Sequence, residues 1–251
     1  MRPVLDGRTA LVTGAGSAEG IGFATARLFV EAGARVVLAD IDGRAASDLA
    51  ATLGGGAIGV ALDVTSRAAC REAVEAASTA FGRLHVLVNS AGIVQTRRLL
   101  DIAPEDIGSV LDVNLVGTLH MCQAAVPAMT EAGGGSIVCI ASIAAQRGGG
   151  LMGGPHYAAS KGGVLGLVKA MARELGPLRI RANAVNPGII MTGMNKGAFS
   201  PEQQAGMLTT IPLARFGGPD DVAGACLFLA SDLYAYVTGT ETDVNGGLLI
   251  H

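Results

Sequence analysis

Apolar residues in this chain follow two alternating rhythms. Short β-branched runs stand at 9–14 (TALVTG), 35–40 (RVVLAD), 57–64 (AIGVALDV), 85–92 (HVLVNSAG), 135–142 (GSIVCIAS), 180–188 (IRANAVNPG) and 241–247 (ETDVNGG). Most are apolar at successive positions, the pattern of strands covered on both faces. Between them the spacing predicts helices at 21–32, 44–53, 66–80, 104–130, 156–175 and 219–230. Gly33 and Gly82 stand where glycine ends a helix, and Pro104 and Pro219 where a first turn tolerates proline. Strand, helix, strand repeated down the chain predicts an α/β fold: a doubly wound, seven-stranded parallel sheet with right-handed crossovers and helices on both faces. No linker, charge block or internal repeat interrupts the pattern, so residues 1–251 are expected to form a single domain.

Composition narrows the partners. Half of the 251 residues are hydrophobic and 37 are glycine, which fits a sizeable core with many tight turns. A net charge of −3 and a pI near 5.8 supply no electrostatic reason to bind nucleic acid or an anionic membrane. Aromatic residues are sparse and tryptophan is absent, so stacking platforms for single strands are not expected. The cysteines (Cys70, Cys122, Cys139, Cys226) are far apart, with no CxxC or Cys/His spacing. They read as reduced thiols in the core or near the surface, and no metal site is predicted. The start, MRPVLDGRTALV, has no long apolar stretch or small-residue cleavage site, and a cytoplasmic location is expected. The longest uncharged run, 113–130, contains Asn114, His120, Gln123 and Pro127, a better buried helix than membrane span.

Open parallel sheets bind ligands beyond the carboxyl ends of their strands. Gly14, Asp40, Asp63, Asn89, Ser142 and Pro187 all end or follow predicted strands. After the first strand comes TGAGSAEGIG, with glycines at 14, 16, 20 and 22. The G-x-G-x-x-G fingerprint fails there, because Glu19 stands at its third glycine. Gly20 and Gly22 nevertheless open a helix, where a bare N-terminus suits phosphate. Asp40 closes the second strand 20 residues beyond Gly20, the place of an acidic residue that bonds ribose hydroxyls and repels a 2′-phosphate. No Arg or Lys lies between Thr9 and Arg27 to hold such a phosphate, and Ile41 follows the aspartate. The reading is NAD over NADP. The competing one is that Asp40 only caps the next helix, which Asp42 would do equally well.

A second stretch carries reactive groups. In HYAASKGG, Tyr157 and Lys161 are four apart and share a helix face. A phenol ionises near pH 10, and a neighbouring ammonium is expected to lower that toward a useful general acid/base. Ser142, at the fifth strand's end, has a hydroxyl for a substrate oxygen. Tyr-x-x-x-Lys alone is common, so its weight comes from the company it keeps.

That company resembles the short-chain dehydrogenase/reductase superfamily, in its short single-domain branch, along essentially the whole chain. The family's Thr-Gly-x-x-x-Gly-x-Gly stands as Thr13, Gly14, Gly20 and Gly22; its Asn-Asn-Ala-Gly as NSAG, 89–92; its active-site Asn as Asn114 in DVNLVG; its Ser as Ser142 in CIAS; its Tyr/Lys motif as YAASK; and its Pro-Gly segment as NPGIIMT, 186–192. Three departures stand out. Five residues separate Gly14 from Gly20 where the family has three, Ser90 replaces the second Asn, and Ser142 precedes Tyr157 by 15 residues where 13 is usual.

The resemblance implies a Rossmann fold and a catalytic set of Asn114, Ser142, Tyr157 and Lys161. It also implies cofactor contacts from Gly14, Ser17, Gly20 and Ile21; Asp40 and Ile41; Asp63 and Val64; Asn89, Ala91 and Gly92; Tyr157 and Lys161; and Pro187, Gly188, Ile190 and Thr192. A secondary alcohol, or its ketone, would place its oxygen between Ser142 and Tyr157. Tyr157 would exchange the proton, Lys161 would lower the tyrosine pKa, and Asn114 would hold a relay water. Residues 143–156 and a lid at 191–210 are expected to enclose the small-molecule substrate, with an ordinary surface helix and turn as the alternative for 191–210. His156 is expected to be structural, with a pocket-facing role as the alternative. Arg97, Arg147 and Lys196 are candidate anion ligands, with solvated surface charge as the plainer reading. The helix at 156–175, apolar nearly all round, is expected to meet other subunits in a homotetramer. Competing functions are an NADPH-dependent 3-oxoacyl-[acyl-carrier-protein]-type reductase and a non-catalytic NAD(H)-binding regulator.

Overall fold

In the computed structural model, which describes residues 4–149 and 152–250, the seven apolar runs form one parallel sheet in the order β3-β2-β1-β4-β5-β6-β7. The strands are β1 (Thr9–Thr13), β2 (Arg35–Asp40), β3 (Ala57–Ala61), β4 (Val86–Asn89), β5 (Gly135–Ile140), β6 (Ile180–Pro187) and β7 (Glu241–Val244). Strand order reverses between β1 and β4, and the cleft opens at that switch point. In central strands alternate residues go to opposite faces, and both faces are buried. Leu11, Leu87 and Ile137 join one core cluster, while Val12, Val88 and Val138 join the other.

The first cluster is covered by α3 (Arg67–Phe81), α5 (Gly117–Glu131) and α7 (Pro155–Leu175). The second is covered by α1 (Ile21–Glu31), α2 (Gly43–Thr52) and α9 (Pro219–Ala230). Gly33 and Gly82 take positive φ just past α1 and at the C-cap of α3, and Pro104 and Pro219 are first-turn residues, as their spacing predicts.

Three elements differ from the sequence reading. The long helix expected at 104–130 is α4 (Pro104–Leu111), then a π-helical segment (Asp112–Val116), then α5. The lid region contains α8 (Pro201–Leu208), whose Ser200 and Gln203 form a reciprocal capping box. A one-turn helix, α6 (Ala144–Arg147), follows β5 in the expected substrate loop, of which residues 150 and 151 lie outside the described residues. β3, β4 and β7 also stop three residues before their apolar runs do. The leftover residues turn out of the sheet, and Asp63, Val64, Ala91 and Gly92 among them line the cleft.

No helix among the described residues is long and apolar enough to cross a membrane. All four cysteines are buried free thiols.

Candidate active site

Gly14 leaves β1 at φ +67°, and a Cβ there would stand 2.7 Å from the Ala91 backbone. Only glycine lets the first turn pass so close to the end of β4. Thr13 fastens the two together: its Oγ1 accepts N–H bonds from Ser90 (3.1 Å) and Ala91 (3.0 Å). Gly22 serves α1 in the same way, because a Cβ there would run into the Gly14 carbonyl.

The lengthened loop between them is fully accommodated. Ala15 is buried with its N–H on the Ala39 carbonyl, and Gly20 closes a turn onto the Ser17 carbonyl. Of residues 15–19, Ser17 lines the cavity and Glu19 does not. The Glu19 carboxylate reaches outward to Lys196 Nζ at 2.7 Å, so its charge is paired at the surface. The N-terminus of α1 has no side-chain cap and no acidic residue in its first turn. A diphosphate fits there: its charge favours the uncapped helix end, and no carboxylate in that turn opposes it.

Asp40 does not cap α2. Asp42 does, its Oδ1 accepting the Ala45 N–H at 3.0 Å. Asp40 instead accepts the Gly16 N–H at 2.8 Å and the Asp42 N–H at 3.1 Å, which fixes its carboxylate at the cavity wall. This is where the ribose of an adenine dinucleotide would place its hydroxyls.

At the other end, Ser142, Tyr157 and Lys161 share one wall of a cavity of about 510 Å³. Ser142 Oγ accepts the Ala144 N–H at 3.1 Å, and its hydroxyl is hydrogen-bonded with the Tyr157 phenol. Lys161 Nζ donates to the Ile140 carbonyl at 2.8 Å and lies 6.0 Å from the Tyr157 ring centroid. Burial pushes the Tyr157 phenol above its ordinary range, with a Ser142 hydrogen bond pulling part of the way back. Burial also brings Lys161 down to about 8. The lowering expected from Lys161 is not among the causes of that shift: the ammonium is committed to the Ile140 carbonyl, and removal of the phenol from water sets the direction.

Every predicted cofactor residue except Asn89 lines this cavity, and of the predicted catalytic set only Asn114 does not. Asn89, 4% exposed, turns inward with Nδ2 on the Cys122 and Cys139 sulfurs (3.4 and 3.6 Å). Asn114 is fully buried. Oδ1 accepts the Ile93 N–H (2.8 Å), and Nδ2 donates to the Ile93 carbonyl (3.0 Å) and Ser160 Oγ (3.1 Å). Both amide hydrogens are used, Oδ1 keeps one further acceptor position, and the bonds to Ile93 hold the segment after β4 in place. His156 is buried behind the wall, its Nε2 3.1 Å from Gln95 Oε1.

Met152 and Phe199 come from the two segments expected to enclose the substrate, while sequence reasoning missed Ile93, Val94, Ile189 and Leu248. Apolar loop residues carry no signal of which way they face. Asn195 was also missed, and its only signal was a polar residue inside the lid. It is 2% exposed and ties the lid down, accepting the Thr192 N–H (2.8 Å) and donating to the Ile190 carbonyl (2.7 Å).

The family profile described as enoyl-(acyl carrier protein) reductase matches residues 14–249. An uncharacterized short-chain type dehydrogenase/reductase of Sinorhizobium fredii is 50% identical over 99% of this chain and 100% of its own length. A 3-oxoacyl-[acyl-carrier-protein] reductase of Thermotoga maritima is 42% identical over 98% of this chain and 99% of its own. The crystal structure of a short-chain dehydrogenase/reductase from Brucella melitensis, titled glucose/ribitol dehydrogenase, superposes with a TM-score of 0.92 at 35% identity, covering all of both chains. With a parallel seven-stranded sheet, a glycine loop at its switch point and a Ser/Tyr/Lys wall facing it, the chain belongs to the short-chain dehydrogenase/reductase superfamily, as an oxidoreductase.

Proposed function

We propose that the chain interconverts a secondary alcohol and its ketone, using NAD in preference to NADP. The observation that carries this reading is one cavity with Asp40 at one end and Ser142, Tyr157 and Lys161 at the other. When bound, the nicotinamide ring supplies the hydride acceptor or donor, and this chain's residues manage the proton and the oxygen. Ser142, oriented by the Ala144 N–H, turns its hydroxyl hydrogen from the Tyr157 phenol to the substrate oxygen. Tyr157 releases its phenolic proton to that oxygen in reduction and takes it back in oxidation. Two donors converging on one oxygen polarise the carbonyl from a preorganised wall. Lys161, still largely protonated at pH 7, compensates the phenolate whenever it forms. Asn114 acts one layer back, by fixing Ile93.

A second reading, an NADPH-linked 3-oxoacyl reductase, has the Thermotoga relative and the family profile in its favour. Asp40 opposes it, because a 2′-phosphate beside an aspartate already holding two N–H groups meets charge without a cation.

Absorbance at 340 nm decides between them, with NAD⁺ and NADP⁺ against secondary alcohols and the reduced forms against the ketones. NAD-linked turnover that falls about 10²–10⁴-fold in Tyr157→Phe is the expected result. NADPH-linked turnover would install the second reading. Tight NAD binding with no turnover of any alcohol or ketone would favour a regulator.

A further inference from the structure

We infer that the substrate is an apolar secondary hydroxy acid, or its oxo acid, whose carboxylate is received by Arg147, and not a polyol or sugar. The inference rests on the alcohol dehydrogenase reading above and concerns what the rest of the cavity can bind.

Consider first which polar groups remain once the reaction has taken its share. On the substrate side the polar lining among the described residues is Ser142, Tyr157, Lys161, Thr192, Asn195 and Arg147. Ser142 and Tyr157 are engaged with the reacting oxygen, and Lys161 with the Ile140 carbonyl. Asn195 is saturated by the Thr192 N–H, the Ile190 carbonyl and the Met152 sulfur, the last at 3.5 Å. Thr192 Oγ1 faces Asn195 Oδ1 at 3.5 Å. Elsewhere the wall is Val94, Ile143, Met152, Ile189, Met194 and Phe199. A polyol entering this space gives up water at every hydroxyl and finds partners for one. A hydroxyl buried without a partner keeps the cost of its lost hydration, and a polyol carries several of them.

The cations are sorted just as sharply. Arg97 is paired with Asp106 at 2.9 Å and Lys196 with Glu19 at 2.7 Å, and neither lines the cavity. Arg147 does line it, and no ion pair or side-chain hydrogen bond is found for it among the described residues. It ends the one-turn helix α6, five residues after Ser142, and its side chain is exposed at the cavity rim. A guanidinium there without an anion in the chain matches a carboxylate held by two parallel hydrogen bonds at the mouth of the cavity. Met152 and Met194, which line the same cavity, are unbranched side chains that adapt to an alkyl chain.

The test is a kinetic series of (ω−1)-hydroxy acids, CH₃–CHOH–(CH₂)ₙ–COO⁻. Beside it run the matching methyl esters, one coenzyme A thioester, and the polyols ribitol and threitol, all with Tyr157→Phe as blank. The best acid is expected to exceed its ester and both polyols in kcat/KM by about tenfold or more, the worth of a charged hydrogen-bonded contact. Arg147→Gln is expected to bring the acid-to-ester ratio near one, through KM more than kcat, and Arg147→Lys to restore part of it. Tyr157-dependent turnover of ribitol or threitol at the rate of the acids would overturn the inference while leaving the dehydrogenase reading intact. An acid-to-ester ratio unmoved by Arg147→Gln would do the same, and so would preference for the thioester over the acid, since carrier phosphates would then be the anion. No turnover of any member would overturn both.

Discussion

Tyr157 and Lys161 illustrate how one pair of side chains can be legible by spacing and still carry unexpected electrostatics. Each is buried, and burial acts on them in opposite directions because one ionises to an anion and the other from a cation. The phenol therefore holds its proton above its ordinary range. An ultraviolet titration of the wild type minus Tyr157→Phe is expected to show Tyr157 ionising above about pH 10. A value near 7–8 would mean that Lys161 dominates burial after all. The consequence for turnover has a definite sign: reduction needs the neutral phenol and persists through neutral pH, while oxidation needs the phenolate and rises with pH. Asp40 makes a second prediction. Its carboxylate fixes the Gly16 and Asp42 N–H groups and is aimed at the cavity, so Asp40→Ser removes both an acceptor and a negative charge. The NAD-over-NADP ratio of kcat/KM is expected to fall by about 10–100-fold, the range for hydrogen bonds to a charged group. An unchanged ratio would send the cofactor assignment elsewhere in the loop.

The strands and their crossovers were readable because each apolar run had to be covered on two faces, and that demand is written in consecutive residues. The breaks inside elements were not. Nothing in DVNLVG marks Asp112–Val116 as π-helical, since no residue type encodes a switch to i→i+5 bonding. Asn89 belongs to a motif shared with the family, yet motif membership does not say whether a side chain faces ligand or core. It is the last residue of a short strand and turns toward two sulfurs, while Ala91 and Gly92, beyond the strand end, reach the cavity. The glycine loop shows the opposite case. Its two extra residues obscure the fingerprint without disturbing the strand exit or the helix start. The π segment also explains Asn114, whose amide closes a reciprocal pair with Ile93 N–H and C=O. Asn114→Ala takes a hydrogen-bond partner from both Ile93 backbone groups and from Ser160, at the wall of the cavity. Denaturant unfolding is expected to show a loss of about 2–4 kcal/mol, the cost of a few buried unsatisfied groups. A loss below 0.5 kcal/mol would mean that water reaches Ile93, and the positioning role would fail.

Assembly is where the glycines of α7 become informative. A glycine inside a helix costs about 0.5–1 kcal/mol relative to alanine, so each one in an ordered helix needs a reason. Gly163 has one within the chain, because a Cβ there would stand 2.7 Å from the Leu115 side chain. Gly162 and Gly166 have none: a Cβ at either meets no atom within 4 Å. They lie with Ala159 and Ala170 on the side of α7 turned away from the sheet, while Val164, Leu165 and Val168 fill the core on the other. A bare helix face of this kind lets another backbone approach closely, and a symmetric pairing of this surface in two copies is the proposed first step to the homotetramer. The two glycines make that proposal decidable. If α7 faces only water, Gly166→Ala should stabilise the chain by about 0.4–1 kcal/mol, since it removes freedom from the unfolded state and touches nothing in the folded one. If α7 packs on its counterpart, even one methyl must push two helices apart, and Gly166→Leu should push them further. Light scattering at micromolar concentration is expected to show a tetramer for the wild type and smaller species for Gly166→Leu, with no stability gain from Gly166→Ala. A monomeric wild type stabilised by Gly166→Ala would show that the face is simply solvated, and the glycines would then need another cause.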